Sequence, residues 1–248
     1  MAYAYDQAFM DFTSRSSEYA ARQLVPLLHE IGPVSSVLDV GCATGTWLRV
    51  WRELGIEDIC GVDGAYVPLS SLQIPLDRFR DTDLSLPFRL DRKFDLVQSF
   101  EVGEHIKSAA SETFVATLVQ HSTGMIAFSA AVPGQGGEYH VNEQPFEFWR
   151  DLFRAHGYYP FDYIRPKIQT DRRISYWYRY NTILYIHEER IATLSERVRN
   201  SGIPQSIQIP DVSPPLFRLR KAAVKLLPYG TQNNLARLKA RVAPGGKF

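Results

Sequence analysis

The sequence predicts an α/β fold, a doubly wound sheet of seven mostly parallel strands with an antiparallel strand at its edge. Three observations carry this expectation. Short β-branched or apolar runs alternate with longer helical patterns along the first three quarters of the chain, as a parallel sheet covered on both faces requires. The first run leads directly into a glycine-bearing turn and then a helical pattern. The last two runs are separated only by the polar stretch 167–173, with no helix predicted between them, so they can pair antiparallel.

The elements follow in order. A helix is predicted over 17–31, stopped by Gly32 and Pro33, and leads to a strand at 36–40. A second helix at 46–54 ends at Gly55, before a strand at 58–62 and a short one near 78–80. A strand at 94–100, a helix at 111–121 and a strand at 125–130 come next. A helix at 145–155, ended by Gly157, precedes the last two strands at 158–164 and 176–187. Trp47 and Trp51, four apart, should pack the second helix on the sheet, and the aromatic run Tyr176 to Tyr180 reads as core strand that could also line an acceptor site.

Composition narrows the function classes. The 248 residues are 45% hydrophobic and 22% charged, with a net charge of +1, which excludes a uniformly basic nucleic-acid binder and a strongly acidic solvating chain. Two cysteines, Cys42 and Cys60, both in apolar stretches, are too few for a disulfide framework or a Cys-rich metal site and suit a reducing compartment. With no leader pattern at the start and no apolar run near the roughly 18 residues that span a bilayer, the expected location is cytoplasmic.

Beyond about residue 189 the long apolar strands stop and Pro204, Pro210, Pro214, Pro215, Pro228 and Pro244 interrupt the chain. The expected organisation is one domain over 1–190, with an N-terminal helical lid containing Asp6, Tyr19 and Arg22, and an extension over 191–248. Ten of the 28 Lys and Arg but two of the 27 acids lie in that extension, which therefore carries +8 and leaves the remainder at −7. A helix over 216–227 would group Leu219, Ala223, Leu226 and Leu227 on one side, opposite Arg218, Lys221 and Lys225. That apolar side is expected to dock on the domain; a second copy of the chain and an anionic membrane surface are the alternatives. Arg237, Lys239 and Arg241 lack the aromatic interleaving of a single-strand nucleic-acid binder.

The segment from Asp39 to Gly45, Asp-Val-Gly-Cys-Ala-Thr-Gly, puts Gly41 and Gly45 between a buried strand and a helix N-terminus. Glycine permits close backbone approach or positive φ there, and the helix offers N–H donors to a ligand. Asp63 ends the next strand, close to the offset at which an acid meets ribose hydroxyls in nucleotide-binding sheets. On these residues the chain, over about 36–187, resembles the class I S-adenosylmethionine-dependent methyltransferases with their Rossmann-like fold. The resemblance implies that Asp39, Gly41, Cys42, Ala43 and Gly45 form the cofactor loop, and that Asp63 holds the ribose. It also implies that Asp83 bonds the adenine, with Leu84 beneath the ring and Asp81 as the alternative acid, and that Ser99 on the fourth strand adjoins the pocket. Ala43 replaces the middle glycine, which the turn can accept if its φ stays negative.

Two segments supply reaction-side candidates. Glu101, Glu104 and His105 follow the fourth strand and would share one face of a helical turn. His140 lies in a glycine-rich loop after the fifth strand, where Asn142 is expected to cap the next helix, with Pro145 and Glu147 in its first turn. Together Glu101, Glu104, His105 and His140 would make a mixed N/O site for Mg2+ or another divalent cation. This set resembles that of metal-dependent O-methyltransferases, including small-RNA 2′-O-methyltransferases. Without a metal, His140 is the general-base candidate, with His105 and Glu104 beside it, and the ordinary role of a lone His105 is to cap structure. The segments at 131–137 and 140–145 resemble bacterial methyltransferases that tailor glycans and secondary metabolites. The resemblance implies O-methylation of a hydroxyl on a saccharide or related small metabolite. RNA 2′-O-methylation and a non-catalytic cofactor-binding scaffold are the competing readings.

Overall fold

The computed structural model describes residues 7–242, and side chains within 14–238 apart from residue 229, so Asp6 and the side chains of Lys239 and Arg241 lie outside the described residues. Seven strands form one sheet: β1 (Ser36–Val40), β2 (Asp58–Asp63), β3 (Phe79–Asp81), β4 (Leu96–Phe100), β5 (Met125–Ser129), β6 (Tyr158–Phe161) and β7 (Ile183–His187). Their order is β3-β2-β1-β4-β5-β7-β6. The first five pair in parallel, while β7 runs antiparallel to both β5 and β6, so the expected antiparallel hairpin is present with β7 inserted one place in from the edge.

Among the described residues the ten α-helices are α1 (Gln7–His29), α2 (Thr46–Glu53), α3 (Ser111–Gln120), α4 (Phe146–Arg154), α5 (Arg165–Ile168), α6 (Tyr176–Asn181), α7 (Glu188–Ile191), α8 (Glu196–Arg199), α9 (Pro215–Lys225) and α10 (Tyr229–Val242). Alternation along the strands divides the core in two. Val37, Leu96, Ala127 and Leu184 face Leu24, Leu28 and Trp51 of α1 and α2. Their neighbours Leu38, Val97, Ile126 and Tyr185 face Phe114, Trp149 and Phe153 of α3 and α4. Trp51 is fully buried and donates to Gln98 Oε1 on β4 at 2.9 Å, so the indole fills the core without leaving its N–H unpaired.

Two expectations fail around the edge hairpin. The strand expected over 176–187 is helix α6 followed by β7, and the polar connection contains α5. Aromatic content favoured strand, but Tyr178 is buried against Trp47 and Phe100, at ring separations of 5.3 and 6.2 Å, and this tertiary packing overrides local preference. The Thr182 hydroxyl then bonds back to the Tyr178 carbonyl at the helix end.

Two buried arginines bind the extension to the domain. Arg165 pairs with Asp162 at 2.7 Å and donates to the Tyr180 and Pro210 carbonyls, and Arg150 donates to those of Pro204 and Ile207. The docking face expected for 216–227 is overturned. Helix α9 packs through Phe217, which meets the Tyr176 and Tyr180 rings at 4.7 and 5.6 Å, and through Lys221, buried and paired with Asp211 at 2.5 Å. Leu216, Leu219, Leu226 and Leu227 are exposed. The aromatic contacts and the buried ion pair determine which side turns inward.

Candidate active site

A cavity of about 920 Å³ opens along the carboxyl ends of β1, β2 and β4, where open parallel sheets bind ligands. Asp39, Gly41, Cys42, Ala43, Asp63, Asp81, Asp83 and Leu84 line it, and Gly45 adjoins them as the N-cap of α2. Gly41 and Gly45 have φ of +86 and +83°, and a Cβ on Gly41 would lie 2.2 Å from Val102 Cγ2, so only glycine fits. Ala43 also has positive φ, +47°, contrary to the condition set by its methyl group. Its N–H is held by Asp63 Oδ2 at 2.6 Å, and this short bond from β2 keeps the alanine left-handed.

The acids are arranged unequally. Asp63 also accepts from the Gly64 N–H at 2.7 Å and from the Tyr66 hydroxyl, so it organises the loop as well as facing the cavity. Burial raises its pKa against those bonds. Asp39, 2% exposed, has one carboxylate oxygen with no hydrogen-bond partner, and burial pushes its pKa up to about 7, with the Asp63 charge adding to the rise. An unpaired buried carboxylate at the crest is placed to receive a cation or a donor from a ligand. Asp83 turns its carboxylate to the Ser85 N–H and hydroxyl, while Asp81 shares the same cavity wall. Ser99 does not line the cavity; it is fully buried and donates to the Val40 carbonyl at 2.8 Å, tying β4 to β1.

On the reaction side, the helical turn expected from Glu101 is broken at its start. Glu101 has φ +56°, and only Gly103–His105 form a short 3-10 turn, so Glu101 leaves the face shared by Glu104 and His105. Its carboxylate accepts from Gln135 Nε2 at 2.7 Å and Asn181 Nδ2 at 3.3 Å, which oppose the upward push of burial on its pKa. Glu104 is fully buried and neither carboxylate oxygen has a hydrogen-bond partner. Burial, then the charge of Glu101, holds its pKa well above the usual carboxylate range.

The imidazoles of His105 and His140 meet edge to face, with centroids 5.0 Å apart. His105 Nδ1 lies 3.2 Å from the Tyr139 carbonyl, and burial, with the nearby His140, lowers its pKa to about 3, so it is neutral. His140 Nδ1 lies 2.9 Å from Glu143 Oε1, and its Nε2 is 3.9 Å from Glu104 Oε1. One ligand atom each from Glu104, His105 and His140 lie within 4.8 Å of one another; Glu101 stands outside this cluster. Asn142, expected to cap α4, instead bonds the Gly103 carbonyl and the Ser111 hydroxyl, joining the His140 loop to the segment after β4. Pro145 is the residue before α4, and Glu147 in its first turn accepts from the Ile209 N–H.

Glu143 escaped the sequence reading although it organises this loop. It accepts the Gly134 and Gly136 N–H groups, both at 2.7 Å, as well as His140. Its one signal was an acid three residues past a histidine in a glycine-rich stretch. Gln135, Asn181 and the extension residues Arg220 and Val224 also contribute, the last two lining the cavity. Trp47, expected to serve only packing, lines the cavity too. Tyr19 and Arg22 do not line the cavity; Tyr19 bonds Asp171, and Arg22 pairs with Glu18 and Glu53.

The fold and this crest define an α/β protein with a ligand-sized cavity at the carboxyl edge of its sheet. A family described as a methyltransferase domain matches residues 12–163, more than half the chain. The chain therefore belongs to this methyltransferase family and is an S-adenosylmethionine-dependent methyltransferase. A search of curated proteins gives no match. Among solved structures it is similar to S-adenosylmethionine-bound CalS10, an amino pentose methyltransferase from Micromonospora echinaspora, at 15% identity and a TM-score of 0.51, covering 75% of this chain and 99% of that one. It is similar to the sugar N-methyltransferase KedS8 from Streptoalloteichus, at 15% identity and a TM-score of 0.50, covering 71% and 87%. Against Streptomyces venezuelae DesVI the identity is 24% and the TM-score 0.44, with 55% of this chain and 62% of that one covered.

Proposed function

We propose that the chain is an O-methyltransferase acting on a hydroxyl of a saccharide or related small metabolite, with His140 as general base. The observation that carries this reading is His140, held by Glu143 and beside the orphaned carboxylate of Glu104, with His140 and Glu104 in the wall of the cavity. Glu143 engages Nδ1 and so directs Nε2 toward the acceptor side as the proton-accepting atom. Asp39, Asp63 and Asp83 bind the donor, whose sulfonium supplies an activated methyl group. His140 takes the hydroxyl proton as the acceptor oxygen bonds to the methyl carbon and the carbon–sulfur bond breaks, its electron pair leaving on sulfur. The remaining chain binds and orients: aromatic Tyr176, Trp177 and Tyr178 offer flat faces to a sugar-sized acceptor. The sugar-directed activities in the names of CalS10 and KedS8 support an acceptor of this size. The domain over 1–190 carries the chemistry and the extension over 191–248 completes the wall.

His140→Ala should lower kcat by at least roughly 100-fold while donor still binds by calorimetry. Near-normal turnover would remove His140 from the chemistry and favour an amine acceptor, which needs no base once neutral.

A second reading is favoured by one observation: Glu104, His105 and His140 also fit a divalent cation. Both imidazoles engage an acceptor through Nδ1, the arrangement that orients metal-binding histidines, and the unpaired carboxylate of Glu104 would gain a partner. Two imidazoles with one carboxylate suit zinc or manganese better than magnesium. Such an ion would lower the pKa of the acceptor hydroxyl. Full activity after chelation eliminates this reading; loss restored by one added metal supports it.

A further inference from the structure

The outward side of α9 is ordered in a way that neither the cavity nor the fold uses. Leu219 and Leu226, seven residues apart, form one row with Leu216 beside it, at 67, 85 and 79% exposure. Arg218 and Lys225, also seven apart and exposed, form a second row next to the leucines. Ala222 and Ala223 fill the space between, also exposed, so the leucines stand proud of the helix. No acidic residue occurs anywhere from 212 to 248.

We propose that this face docks on an anionic phospholipid surface, the leucines entering the interface and Arg218 and Lys225 meeting the headgroups. The charge pattern selects this occupant. A second copy applied face to face would oppose cation rows with no acid on α9 to relieve them, whereas an anionic surface neutralises the row while receiving the leucines. The attachment is peripheral: no helix among the described residues is long and apolar enough to cross a membrane. The other side of the same helix brings Arg220 and Val224 to the cavity, so docking would set the acceptor side of the enzyme against the lipid surface. This inference does not depend on the identity of the acceptor or on the role of His140.

The test is co-sedimentation of the full chain with vesicles of phosphatidylcholine alone or with about 30% phosphatidylglycerol, at low and high salt. Wild type should partition at least roughly tenfold more strongly onto the anionic vesicles, and high salt should reverse this. The double variants Leu219→Ser/Leu226→Ser and Arg218→Gln/Lys225→Gln should each lose most of that binding with unchanged melting temperature, since all four side chains are exposed. Wild type that stays in the supernatant, equal binding to neutral and anionic vesicles, or variants that bind as wild type would overturn the proposal. So would light scattering that shows a dimer split by the leucine variant, because the occupant would then be a second copy.

Discussion

Replacing Asp39 by asparagine isolates the cost and the use of the buried charge at the end of β1. In the folded protein the pKa of Asp39 is raised from 3.8 to about 7, so the native state holds this proton more tightly than the unfolded chain. The stabilisation is therefore full below the unfolded value and is lost as pH rises from about 4 to about 7, a loss of up to ~4 kcal/mol. Asparagine cannot lose it. Without donor, Asp39→Asn should thus gain stability relative to wild type as pH rises through this window, with the difference levelling off above about pH 7. Asp63 is raised too and remains in both proteins, so the comparison is between the two proteins and not of either slope alone. Donor should reverse the ranking, because a sulfonium and an ammonium favour ionised Asp39. Wild-type affinity should fall by up to about tenfold per pH unit below pH 7, while the asparagine variant binds weakly with a flatter dependence. Urea melts with and without S-adenosylmethionine at about pH 5.5 and 8, with calorimetric Kd values at both, measure every term. A stability difference that does not change with pH, or a wild-type Kd with no pH dependence, would refute the assignment of a charged, ligand-facing Asp39.

Two further substitutions probe how His140 is held. Glu143→Gln presents an NH2 group where a carboxylate oxygen now accepts from the Gly134, Gly136 or His140 donors, so kcat should fall roughly 10–100-fold with little change in donor Kd. An unaltered kcat would show that Glu143 orders the loop without serving the imidazole. Gly137→Ala would place a Cβ 1.9 Å from His140 Nε2, displacing a ring at the end of a rotatable side chain without pressing on backbone. Activity should drop about as far as in His140→Ala, by roughly 100-fold, while the melting temperature hardly moves; a fully active variant would place the reacting atom elsewhere.

The parts of the site legible in the sequence are those that the backbone itself demands. Gly41 and Gly45 could be read because a strand-to-helix turn at close approach needs positive φ, and both residues adopt it. Asp63 was legible by its place at the end of a strand, though not its second task of holding Ala43 left-handed. Glu101 was misread because a spacing of three and four residues brings side chains together only if every intervening residue is helical, and φ +56° at Glu101 breaks that premise. Glu143, Gln135 and Asn181 act through loop geometry: Asn181 bonds Gln135 46 positions away, and no local pattern records such a pairing.

Helix α9 shows the same limit from the other direction. The expected pattern set the leucines opposite Arg218, Lys221 and Lys225, yet Lys221 is buried while Arg218, Lys225 and the leucines are all exposed. Periodicity specifies that two unlike faces exist, and which face turns inward depends on what the partner surface offers. Here the domain offers the Tyr176 and Tyr180 rings to Phe217 and the carboxylate of Asp211 to Lys221, contacts in which a lysine can be buried because its charge is paired. The leucines are left outside by that choice. An exposed apolar row beside exposed cations buries nothing among the described residues, so what the row serves is decided by what binds there.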